Sequence, residues 1–135
     1  MQPKIYIGSD HAGYELKELL KTYLSSLNNE VEDCGAFTLD SEDDYPDFIQ
    51  PVAEKVAQNP ESFGIILGGS GQGEAMCANR TAGIRASVYY GGTLDMIKVT
   101  REHNNANILS LGARFITEEE AKQAVSLFLT TKFSD

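Results

Sequence analysis

Residues 68 to 74 read Gly68-Gly69-Ser70-Gly71-Gln72-Gly73-Glu74, a glycine cluster that ends on a carboxylate. Glycines at this density let main-chain N–H groups turn inward without Cβ clashes, which suits an anion or a developing oxyanion. Glu74, directly beyond, is placed to act as a general base if its pKa fits the task. A helix start there lowers that pKa and burial beside a substrate raises it, and the sequence leaves the balance open. Asp10-His11, His103 and Arg114 are the other candidates. Each also has a plain structural reading: Asp10 as a helix N-cap with His11 on the surface, His103 as a cation at a helix C-terminus, Arg114 in a surface ion pair. Together they predict a carboxylate, imidazole and guanidinium gathered on one rim.

Familiar glycine motifs do not fit. A dinucleotide fingerprint would need glycine at Glu74 or Met76. A P-loop starting at Gly68 would put Glu74 where the lysine belongs, and a carboxylate there repels a nucleoside triphosphate. A nucleophile elbow on Ser70 would need glycine at Gln72, which counts against a serine hydrolase built from Ser70, His103 and Asp10. The acidic run Asp40, Glu42, Asp43, Asp44 lacks the glycine and glutamate of a calcium loop, with Tyr45 and Pro51 in their places. It reads as a solvated loop, with Tyr45 able to reach the site.

The elements that position these residues follow from apolar spacing. Lys4–Gly8 is a short buried strand. Leu16, Leu19, Leu20, Tyr23, Leu24 and Leu27 form one face of a helix, with Lys17, Glu18 and Lys21 on the other and Asn28-Asn29 at its end. Further strands are predicted at Glu30–Cys34, Gly64–Leu67, Ile84–Tyr90 and Asn107–Leu111. Helices alternate with them: one beginning or bending at Pro51, then about 74–79, 93–102 and one from Thr117. Thr117-Glu118-Glu119-Glu120 is a capping-box start for the last. Apolar strands alternating with helices predict an α/β fold: a three-layer, Rossmann-like, doubly wound sheet of five parallel strands with helices on both faces. Ligands bind such sheets at the carboxyl ends of the strands, which singles out the residues that follow strands one, three and five.

The 135 residues suit one domain spanning 1–135. Lys plus Arg is 11 and Asp plus Glu is 20, a net charge of −9, which argues against nucleic acid or an anionic membrane as a partner. No apolar run approaches the roughly 18 residues of a spanning helix, and Met1–Gly13 lacks the pattern of a signal peptide, so no secretion is expected. Cys34 and Cys77 make no disulfide framework and read as small buried residues in a reducing compartment.

The chain resembles the ribose-5-phosphate isomerase B family, which includes galactose-6-phosphate isomerase subunits. The resemblance lies in Gly8-Ser9-Asp10-His11-Ala12-Gly13-Tyr14-Glu15-Leu16-Lys17, Asp44-Tyr45-Pro46-Asp47-Phe48, Gly64 to Glu74, Ala78-Asn79-Arg80-Thr81-Ala82-Gly83-Ile84-Arg85-Ala86, Arg101-Glu102-His103-Asn104-Asn105-Ala106-Asn107 and Leu111-Gly112-Ala113-Arg114. It implies a cytoplasmic aldose–ketose isomerase of the pentose phosphate pathway that works without metal or cofactor through a cis-enediolate. One branch uses a cysteine base at the position of Gly68; this chain is similar to the other, in which Glu74 is the base. His103 is then the ring-opening acid, assisted by Asp10. Ser70 and the main chain of Gly69, Ser70, Gly71, Gln72 and Gly73 hold the enediolate oxygens, Asn104 touches the sugar, and His11 and Arg114 take the phosphate. The resemblance also implies a homodimer or tetramer with sites at the subunit interface. Ribose 5-phosphate is the expected substrate; a hexose or allose 6-phosphate, or a weakly active sugar-phosphate-binding partner subunit, are the alternatives. Family members usually carry a basic tail beyond the last helix, whereas this sequence runs out at Thr131-Lys132-Phe133-Ser134-Asp135. Fewer cations on the phosphate, a different substrate or a contribution from another chain is the corresponding expectation.

Overall fold

In the computed structural model, which describes residues 2–134, five apolar segments form one all-parallel sheet in the order β2-β1-β3-β5-β4. The strands are β1 (Ile5–Ser9), β2 (Val31–Asp33), β3 (Phe63–Gly68), β4 (Ala86–Tyr89) and β5 (Ile108–Gly112). β1, β3 and β5 are central and almost wholly buried, as continuous apolar runs require when both faces are covered. Helices α1 (Tyr14–Ser26), α4 (Asp95–Glu102) and α5 (Glu118–Thr130) cover one face, where Leu20, Leu24, Ile97 and Phe128 pack on Ile7, Leu67 and Leu109. Helices α2 (Pro46–Gln58) and α3 (Gln72–Ala78) cover the other, where Ile49, Val52 and Ala78 pack on Tyr6, Ile66 and Ile108. The three layers and five parallel strands are those the alternating pattern predicts. No helix among the described residues is long and apolar enough to cross a membrane.

Local rules account for most element ends. Thr117 and Glu120 cap α5 reciprocally, the capping box read from the sequence. Asn28 adopts a φ of 67° in the turn after α1.

Three expectations need correction. The second helix begins at Pro46 and runs through Pro51. Pro46 holds the first helical position, where a missing N–H costs nothing, and Pro51 deprives only the carbonyl of the exposed Asp47, which water can reach. Lys17, assigned by periodicity to the solvent face, has no exposed surface. Its Nζ donates to both carboxylate oxygens of Asp33, at 2.8 and 2.7 Å, and to the Ala36 carbonyl at 2.7 Å. This buried ion pair pins the segment leaving β2 beneath α1, and Lys21 adds a third bond to Asp33. Finally, Cys34 and Cys77 are half-buried free thiols, and burial pushes the Cys34 thiol up to about 11.

The chain reverses direction across the sheet between β1 and β3, because β2 lies outside β1 and the next strand returns to its other side. The crevice at the carboxyl ends of β1 and β3 is therefore the expected binding place, with the exit of β5 beside it.

Candidate active site

β3 ends at Gly68, and the chain turns into α3 within three residues. Gly71, the residue before α3, has a φ of 82°, a left-handed conformation that favours glycine. The loop's carbonyls are tied to the exit of β5. Ser110 Oγ donates to the Gly71 carbonyl at 2.7 Å, Ala113 N–H to that of Gly68 at 2.8 Å and Arg114 N–H to that of Gly69 at 3.1 Å. The amides of Gly69, Ser70 and Gly73 have no main-chain acceptor among the described residues, while that of Gly71 is turned to the Glu74 carboxyl. Anchored carbonyls with uncommitted amides make a cradle for negative charge. Ser70 Oγ is exposed and accepts from the Gln72 N–H at 3.2 Å, closing the turn.

Glu74 stands in the first turn of α3 and is 5% exposed. Its carboxyl group fills the space directly over Gly68; a Cβ on that glycine would overlap it. Burial raises its pKa, and the Asp10 carboxylate adds to the rise, while the amides of Glu74 itself and of Gly71 pull the other way. The net shift is upward, so burial outweighs the helix start. Asp10 is 8% exposed and caps the short 3-10 turn His11–Gly13, accepting from the Ala12 N–H at 3.0 Å.

The raised pKa has two consequences. Glu74 ionises only above the ordinary glutamate value of roughly 4.3, so with Glu74 as the base the acid limb of the kcat/KM profile, which reports the free enzyme, should lie above that value. A folded-state pKa above the unfolded one gives a stabilising contribution that is present below about 4.3 and lost as pH rises through the folded value. Glu74→Gln should therefore raise the thermal midpoint at pH 7, with the gain shrinking toward pH 4. Thermal melts of both proteins across that range check it.

Other predicted residues approach the same edge. The phenol of Tyr45 lies over the loop, its hydroxyl 3.2 Å from where a Cβ on Gly73 would stand. Arg114 Nη1 is 3.1 Å from the corresponding point on Gly69. His11 follows Asp10 and is half-buried; its Nδ1 is 2.8 Å from Asp43 Oδ1. Asp43 is thus no solvated loop residue, which corrects that expectation: its side chain is 8% exposed. Sequence reasoning also missed Ser110, for which the signal was a lone hydroxyl inside Ile108-Leu109-Ser110-Leu111; nothing in the acidic run marked Asp43. Asp10, His11 and Asp43 offer three ligand atoms within 4.8 Å of one another, the one such group among the described residues. Asp10 is engaged by the Ala12 amide and His11 by Asp43, so the group is closed by hydrogen bonds of its own.

His103 and Asn104 lie elsewhere. They are exposed residues at the C-terminal end of α4, ahead of β5. The segment is held by buried Arg101, whose guanidinium donates to Asn105 Oδ1 at 3.0 Å and to the carbonyls of Ala106 and Thr131 at 2.7 and 3.0 Å. Asn107 bonds to Gly64 at the start of β3 and to Arg85 directly before β4. This is the amino edge of the sheet, about 15 Å from the carboxyl edge across a five-residue strand. Within one chain, one rim gathers Asp10, His11, Tyr45, Glu74, the glycine loop and Arg114, and the opposite edge carries His103 and Asn104. A Ser70–His103–Asp10 triad cannot form inside a single chain.

The sequence pattern of the Ribose/Galactose Isomerase family matches residues 5–135. The chain is 41% identical over 131 residues to ribose-5-phosphate isomerase B of Mycolicibacterium paratuberculosis, covering 97% of this chain and 81% of that protein. Its fold is similar to that of ribose-5-phosphate isomerase B of Mycoplasma genitalium, solved with bound ribulose-5-phosphate, with a TM-score of 0.95 at 37% identity, covering 100% of this chain and 88% of that one. The ribose 5-phosphate isomerase of Thermotoga maritima gives a TM-score of 0.92 at 45% identity, covering 99% of this chain and 90% of that one.

Proposed function

The chain belongs to the Ribose/Galactose Isomerase family, and from that premise we propose that it interconverts ribose 5-phosphate and ribulose 5-phosphate through a cis-enediolate, residues 1–135 acting as one isomerase domain. The observation that carries this reading is the placement of Glu74: a buried carboxyl with a raised pKa, seated over Gly68 beside uncommitted loop amides. Once the sugar ring is open, Glu74 takes the C2 proton and returns it to C1. One carboxylate serves both half-steps because the two carbons are bonded neighbours. Negative charge on the enediolate oxygens falls on the uncommitted loop amides of Gly69, Ser70 and Gly73; a preorganised donor of this kind supplies about 3–4 kcal/mol. Tyr45 closes the loop side of the sugar. The phosphate is taken by His11 and Arg114, cations placed locally in a chain of net charge −9.

Ring opening by His103, assisted by Asp10, and contact of Asn104 with the sugar require these residues at the carboxyl edge. Since their own chain holds His103 and Asn104 at the amino edge, a second copy supplies them, and the working enzyme is at least a homodimer with the site at the interface. Exposed Met76, Tyr90, Met96, Val99 and Phe115 give such an association apolar surface to cover. With this activity, the expected setting is the cytoplasm and pentose phosphate metabolism.

A panel of aldose phosphates tests the substrate. Ribose 5-phosphate should be isomerised with the highest kcat/KM; a hexose or allose 6-phosphate turned over faster would move the assignment to that sugar. Tight sugar-phosphate binding without turnover would reduce the chain to a binding subunit.

A further inference from the structure

Asp43 lies in an acidic loop, yet its side chain is withdrawn from water. Oδ1 accepts twice from one residue: from the main-chain N–H of His11 at 3.1 Å and from the His11 ring at 2.8 Å. Oδ2 is buried with no partner among the described residues. A carboxylate buried this way has His11 as its counterpart and nothing else.

We propose that Asp43 is a positioning residue for phosphate recognition by His11. A carboxylate only accepts hydrogen bonds, so the contact places a hydrogen on Nδ1 and leaves Nε2 for the ligand. An ionised phosphate oxygen accepts from Nε2 when that nitrogen also carries hydrogen, and Asp43 is then the counter-charge beside the ring. The second bond, to the His11 amide, fixes the main chain from which the ring projects. The inference rests on His11 being a phosphate ligand, as given under the proposed function.

The test uses inorganic phosphate as a competitive inhibitor, measured beside the kinetics of ribose 5-phosphate. For Asp43→Ala, KM and the phosphate Ki should rise together by about tenfold, the order lost with one charge-assisted hydrogen bond, while kcat stays within about twofold. Asp43→Asn keeps an oxygen near Nδ1 without the charge and should show a smaller parallel rise, about threefold. In ¹⁵N spectra, the His11 ring should have Nδ1 protonated in the wild type and lose that bias in Asp43→Ala. If Asp43→Ala fails to fold, Asp43→Asn decides by the same readouts. Unchanged KM and Ki in a folded variant overturn the inference, and so does a loss confined to kcat or thermal midpoint, which is what a loop tether alone would give. His11→Ala separates the two levels. If it leaves the phosphate Ki unchanged, the phosphate role of His11 falls and this inference with it. If it raises Ki while the Asp43 variants do not, the inference alone fails.

Discussion

Glu74→Gln should leave a folded protein with KM close to that of the wild type and kcat lower by about 10²–10⁴-fold, the range a positioned general base supplies. The amide has the shape of the carboxyl, so the space over Gly68 stays filled and the loop keeps its form. Only the capacity to take a proton is removed. No neighbour can replace it: Asp10, the carboxylate that acts on Glu74 through charge, already accepts the Ala12 amide as a cap. Glu74→Asp shortens the side chain by one methylene and draws the carboxylate away from the point above Gly68, so it should lose much of the rate as well while keeping the charge. Steady-state kinetics of the two variants separate chemistry from position.

His103→Ala alone should lower turnover by about 10²-fold or more, the contribution of a general acid. A second effect appears on mixing. If each site combines Glu74 of one chain with His103 of another, a hybrid of His103→Ala and Glu74→Gln chains holds one site with both substitutions and one with neither. Random pairing of equal amounts should then recover about one quarter of wild-type activity, because half the dimers are hybrids with one intact site of two. Two inactive proteins yielding an active mixture is a result that sites contained within single chains cannot give.

The strands were legible because parallel strands covered on both faces must be continuous apolar runs, as Gly64-Ile65-Ile66-Leu67 and Ile108-Leu109-Ser110-Leu111 are. The rule that ligands sit at strand carboxyl ends likewise marked Asp10, His11, the glycine loop and Arg114. What stayed hidden depends on contacts distant in sequence. Periodicity separates polar from apolar faces but cannot tell water from a buried partner, so Lys17 looked solvated although Asp33 holds it inside. Asp43 was indistinguishable from its acidic neighbours because only the fold brings it to His11. The sign of the Glu74 shift required knowing whether burial or the helix start prevails. The place of His103 follows from winding: a helix between parallel strands ends at the amino edge, opposite the glycine loop.

The most direct measurement is hydrogen exchange with solvent at the reacting carbons. Ribose 5-phosphate is incubated in D₂O with the wild type and with Glu74→Gln, and deuterium is followed by NMR at C1 of the ketose and C2 of the aldose. Proton transfer through Glu74 predicts label entering with the wild type and none above background with the variant. Label entering at equal rates with both would show that another group moves the proton, and the assignment of Glu74 would be wrong.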